Sequence, residues 1–209
     1  MYDSNNESNN EANNESNNES NKLLLKNVLD RSKIIHKNEI MKQITIKDAH
    51  IYCKINNLSG QVAGPLIEFY IKTKFNMIKN DASLCIGDLK MNEIDIEIKV
   101  SNGGKDNNKF NYVQIRMNHL CEYLLTAYYL DSSNIDYEGE LFMFRLKKED
   151  IKPLILKYGG YAHGTITKLG KITRQDLDNV NNEKEYSLRP KYNDECWKEL
   201  LQYRVVNVI

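Results

Sequence analysis

The chain has 209 residues, with 29 Lys and Arg balanced by 29 Asp and Glu. No apolar run reaches the ~18 residues needed to cross a bilayer, and residues 1–21 lack the basic and apolar regions of a signal peptide, so an intracellular, cytoplasmic, soluble protein is expected. Cys53, Cys85, Cys121 and Cys196 show no Cys-x-x-Cys and no histidine at a familiar zinc spacing, which argues against a disulfide or zinc framework and for reduced thiols.

Residues 1–21 repeat Ser/Ala-Asn-Asn-Glu and are expected to form a disordered tail. That tail holds five of the acids and no base, so residues 22–209 carry a formal surplus of +5, compatible with binding phosphate. These 188 residues suffice for one domain that buries about 70% of its unfolded surface. Helices are expected at 23–35 and 45–56. Another is expected from Gly64-Pro65, because a first-turn proline lacks only a donor that would be unpaired anyway. Its apolar stripe is Leu66, Ile67, Tyr70, Ile71 and Phe75, leaving Glu68 near the start and more exposed.

Residues 83–101 read as a hairpin. Ile94, Ile96, Ile98 and Val100 alternate with Asp95, Glu97 and Lys99, the period-2 pattern of a strand with one apolar and one polar face. With the turn at Asn92-Glu93, Met91 falls opposite Ile94, Leu89 opposite Ile96, and Cys85 opposite Val100. The other face pairs Lys90 with Asp95 and Asp88 with Glu97. Directly opposed carboxylates repel unless something cationic stands between them, and a divalent metal would relieve that cost. Residues 101–111 form a loop whose glycines admit a phosphate and whose Lys105 and Lys109 supply charge. Residues 112–130 are expected to be a helix with Val113, Met117, Leu120, Leu124 and Tyr128 on its apolar face. Gln114, Arg116 and His119 lie along the same segment. A strand at 140–146, a helix to Tyr158 and a Gly-rich segment with His163 and Lys168 suited to facing DNA follow. A last helix is anchored by Trp197.

An upstream helical acid, Gly-Asp, a short gap, Ile-Glu-Ile-Lys and a Gly/Lys loop occur in that order. In this ordering the chain resembles the PD-(D/E)xK nuclease superfamily, and type II restriction endonucleases within it, over roughly residues 58–130. The resemblance implies an α/β fold with a mixed central β-sheet flanked by helices. It implies Asp88 and Glu97 as metal acids, with the Ile98 carbonyl, Lys99 as the lysine that polarises the attacking water, and Glu68 as an additional acid. Gly87 stands where the pattern names proline, and the short gap leaves Asp95 as an alternative first acid. Asn118 occupies the tyrosine position of a Gln-x-x-x-Tyr motif, against the recombination-exonuclease branch. The implied cofactor is Mg²⁺, with Mn²⁺ able to substitute, since Mg²⁺ takes oxygen ligands and only one or two carboxylates beside substrate phosphate. The implied partners are double-stranded DNA, with Gln114, Arg116 and His119 touching it or bracing the site, and a second copy of the chain. A junction-resolvase-like or nicking nuclease, and a non-catalytic DNA-binding domain with a solvated hairpin face, are the alternatives.

Overall fold

The computed structural model describes residues 44–81, 83–103, 108–131, 133–134 and 136–206. The expected tail and the helix at 23–35 lie outside them, as does Lys105. Helix α1 (Ile46–Ile55) begins at Thr45, whose hydroxyl and backbone N–H form a capping box with Asp48. Asn57, with φ 51°, ends this helical hairpin arm and redirects the chain into α2 (Gly60–Lys74). Helix α2 starts at Gly60, one turn before the expected Gly64-Pro65 start, because the Ser59 carbonyl already accepts from Val62 and Ala63. Pro65 therefore sits inside the helix, where its missing donor leaves the carbonyl of exposed Gln61 without its usual helical partner.

Strands β1 (Ile78–Lys79), β2 (Leu89–Met91), β3 (Ile94–Ser101), β5 (Glu122–Tyr129) and β6 (Glu140–Leu146) form a mixed sheet in the order β1-β2-β3-β5-β6. Only β3 and β5 pair in parallel. A second, antiparallel sheet has the order β4-β8-β7, from β4 (Tyr112–Arg116), β7 (Gly160–Tyr161) and β8 (Glu185–Leu188). Helices α3 (Lys148–Tyr158), α4 (Ile166–Leu169), α5 (Arg174–Asp178) and α6 (Glu195–Leu200) complete the set of six among the described residues. The α/β class with a mixed sheet is as expected, and the strand at 140–146 and the helix to Tyr158 lie where the sequence puts them.

Residues 112–130 are not helical. They form β4, a turn and β5. Strand β5 lies between β3 and β6 with six consecutive buried residues, so it shows a continuous apolar run rather than alternation, and periodicity alone cannot distinguish such a run from a helix. Its two faces divide the core. Leu124 packs with Ile96, Ile98, Ile67 and Ile71 under α1 and α2. Tyr123, Leu125 and Ala127 pack with the second sheet and Trp197. The Trp197 indole stacks on Phe110 at 4.8 Å and meets Phe142 and Phe144 edge-on, as befits the expected core anchor. Among the described residues no helix is long and apolar enough to cross a membrane.

Candidate metal centre

The hairpin has the expected register at its turn, with Met91 opposite Ile94, Lys90 opposite Asp95 and Leu89 opposite Ile96. The two expected pairs beyond it are not formed in that way. Gly87, at φ 89°, swings the chain off the ladder, so Cys85 does not oppose Val100; it is exposed, and its carbonyl accepts from the Leu120 N–H. Asp88 leaves the ladder as well, but its side chain replaces the missing strand. The Ile98 N–H donates to Asp88 Oδ2 at 3.1 Å. Proline cannot adopt that φ, and an added Cβ at residue 87 would stand 2.9 Å from Ile96 C and 3.0 Å from Glu97 N. Glycine in the pattern's proline position is thus required by the backbone.

Glu97 is only 4% exposed. Its Oε1 accepts from Lys99 Nζ at 2.5 Å, and its Oε2 lies 3.7 Å from His119 Nδ1. The Glu97 and Lys99 side chains are therefore largely enclosed, and a merely solvated Glu-x-Lys is not what the fold contains. Glu68, from the third turn and middle of α2, and Asp88 jointly line two cavities. One, of about 230 Å³, also meets Lys99, Asn111 and Gln114. The other, of about 300 Å³, meets Lys79, Asn80, Glu97, Arg116 and His119. Burial and the neighbouring Glu97 push the Asp88 carboxyl above its ordinary range. Burial, then Asp88, and further Glu97 push Glu68 up as well. Three carboxylates share low-dielectric space with Lys99 and Lys79, and because those lysines only partly offset the burial and repulsion that raise Glu68 and Asp88, a further cation would be stabilised there. The donors of Asp88, Glu97 and Glu68 are all oxygen, the ligand type that a hard divalent ion such as Mg²⁺ prefers.

Asp95, the alternative first acid, is occupied elsewhere: Asn80 Nδ2 donates to its Oδ1 at 2.9 Å and Lys90 lies 4.0 Å away. Gln114 has φ 57° at a bulge in β4, which turns its exposed side chain toward the cavity that holds Lys99. Arg116 reaches the other cavity but is tied by Nε and Nη2 to Glu185 Oε1. His163 approaches the same Glu185 through Oε2, at 3.2 Å. It joins the site's rim only through that carboxylate. Lys109 pairs its backbone with Lys191, and Lys168 is exposed on α4; neither lines the two cavities.

Lys79, Asn80 and Cys121 belong to this centre without a sequence signal strong enough to find them. His119 and Cys121, two residues apart, come together with Glu97, so that one possible ligand atom from each lies within 4.8 Å of the others. His-x-Cys is not a familiar zinc spacing, and it is the turn into β5 that sets the two side chains beside Glu97. Burial, Glu97 and Asp88 push the Cys121 thiol up to about 12. No family model, curated protein or solved structure matches the chain.

Proposed function

We propose that the chain is a Mg²⁺-dependent DNA endonuclease of the PD-(D/E)xK type, with a restriction-endonuclease-like fold and Mn²⁺ as a possible substitute ion. The observation that carries this is the buried Glu97 holding Lys99 at 2.5 Å, with Asp88 fastened beside it on the Ile98 N–H. A strand bearing an enclosed acid and lysine two residues apart, next to a second and a third acid in one cleft, is costly for folding and suited to phosphodiester hydrolysis. When bound, the ion supplies Lewis-acid polarisation of the scissile phosphate and charge for the leaving 3′ oxygen.

The chain's own residues do the rest. Asp88 and Glu97 hold the ion, Glu68 orients water at the cleft wall, and Lys99, anchored by Glu97 Oε1, donates toward the attacking water. Gln114, from the cavity rim, and Lys105 and Lys109, which follow β3 in sequence, engage DNA, with Arg116, His119, His163 and Lys168 as further contacts. Each chain carries one such set, so cutting both strands requires a second copy, and a homodimer on a palindromic double-stranded site is the natural assembly.

The test is Mg²⁺-dependent cleavage of a long unmethylated DNA by the wild type and by Lys99→Ala and Glu97→Ala, with folding followed by circular dichroism. Discrete fragments are expected from the wild type, with rates at least ~10²-fold lower in both folded variants. Lysine-dependent nicking, or cleavage confined to branched DNA, would favour the structure-selective alternative. Absence of any metal-dependent cleavage would leave the DNA-binding domain.

A further inference from the structure

Beside the three carboxylates, Glu97, His119 and Cys121 bring together side chains of three different ligand types. His119 Nδ1 is buried without a hydrogen-bond partner, an arrangement that leaves a basic nitrogen unsatisfied. It faces Glu97 Oε2 at 3.7 Å, the oxygen turned away from Lys99. Cys121, two residues on from His119, completes the group within the same 4.8 Å spread.

Two features fix this triad in place. The Leu120 N–H, between the two candidate ligands, donates to the Cys85 carbonyl at 2.8 Å and ties their turn to the segment that leads into Asp88. Gly87 makes room: a Cβ there would lie 3.0 Å from Cys121 Cβ, so the absent side chain is what lets Cys121 approach β3 beside Glu97. One nitrogen, one sulfur and one carboxylate oxygen are a borderline-soft donor set, unlike the all-oxygen set of Asp88, Glu68 and Glu97.

We propose that Glu97, His119 and Cys121 form a separate site for Zn²⁺, which Co²⁺ can also occupy, and that Glu97 is shared between it and the oxygen site. Ligand atoms of a tetrahedral zinc site stand about 3.3–3.8 Å apart, so the triad closes by roughly 1 Å and leaves a fourth position for water. Zinc binding exchanges the Cys121 S–H bond for S–Zn, and the proton passes to buffer. The site stands on its own geometry. Its consequence for catalysis rests on the nuclease proposal: with Glu97 Oε2 engaged by zinc, Mg²⁺ loses a ligand and Zn²⁺ inhibits cleavage.

The experiment is a Co²⁺ titration of the reduced full-length protein, read by thiolate-to-cobalt charge-transfer absorption, followed by displacement with Zn²⁺. Wild type and Cys85→Ser are expected to show the band, and Cys121→Ser to lack it. His119→Gln, folded by circular dichroism, is expected to bind Zn²⁺ at least about tenfold more weakly in calorimetry. A band that persists in Cys121→Ser, a band lost in Cys85→Ser, or no band in the wild type at excess metal would overturn the site. Because the absorption does not depend on DNA cleavage, a protein without nuclease activity can still show it, and a nuclease can still lack it.

Discussion

Asp88 illustrates how a single side chain is pulled between folding and function. Its carboxylate accepts the Ile98 N–H that β2 leaves unpaired, yet burial and Glu97 disfavour its charge. A carboxyl whose folded pKa lies above its unfolded value is less costly when protonated, so the metal-free protein gains stability from this group as pH falls through the raised range. Asparagine keeps an oxygen for Ile98 and removes the charge. Asp88→Asn is therefore expected to raise the metal-free melting temperature by about 2–4 °C, corresponding to ~1 kcal/mol, while lowering Mg²⁺-dependent cleavage by at least ~10²-fold. Calorimetry in chelator and a cleavage assay check the pair. A lower melting temperature would mean that the Asp88–Ile98 bond outweighs the repulsion. That Glu68, Asp88, Glu97 and Lys99 fall together around the two cavities is legible in their order along the sequence. The place of Cys121 is not, because its meaning comes from the opposing strand.

At the level of elements, the hairpin was the most readable part and the segment after it the least. The turn at Asn92-Glu93 has both residues at positive φ, 48° and 63°, the pattern of a type I′ connection that suits the twist of two paired strands. Asparagine tolerates that conformation and glutamate does so at a cost, with only an exposed 3.9 Å ion pair to Lys90 in return. Glu93→Gly is expected to stabilise the fold by about 0.5–1 kcal/mol, measured by urea unfolding with an unchanged m-value. Gly87→Ala has the opposite sign. It forces a φ of 89° on alanine and drives a Cβ into β3 and Cys121, for an expected loss of about 1–3 kcal/mol. The same variant should weaken Mg²⁺-dependent cleavage, since Asp88 is its neighbour. Wild-type stability in Gly87→Ala would show that the 85–88 segment can relax away from the sheet. The segment 112–130 reads as a helix for a physical reason: Val113, Met117, Leu120, Leu124 and Tyr128 fit a helical stripe, whereas in the fold Val113 lies in β4, Met117 and Leu120 in the turn that follows, and Leu124 and Tyr128 in β5. A buried parallel strand has no polar face to betray its period.

Across the whole folded unit, the end of the site-bearing strand is coupled to the first described helix by a group that cannot take up a proton cheaply. His50 of α1 is fully buried, its Nδ1 bonded to Asn102 Oδ1 just beyond β3, and Lys54 one turn on donates to the Asn102 carbonyl at 2.8 Å. His50 Nε2 has no hydrogen-bond partner, so protonation would place an unsolvated charge in the core. Burial brings the His50 pKa from 6.5 down to about 4. Between those values the unfolded chain binds a proton that the folded chain refuses, so this contribution to stability is complete above about pH 6.5 and is lost as pH falls toward 4. At 1.36 kcal/mol per pH unit the loss reaches about 3 kcal/mol. Glu68 and Asp88 act in the opposite direction over the acid range, because their folded carboxyls are raised. The wild-type curve alone would therefore blend the two trends. A neutral replacement isolates the histidine: the unfolding free-energy difference between wild type and His50→Gln, measured in urea at steps from pH 7.5 to pH 4.5, should shrink or reverse by about 2–3 kcal/mol as pH falls. A difference that stays constant across that range would show that His50 is protonated in the fold at no cost, and that α1 opens from the end of β3 to let water reach it.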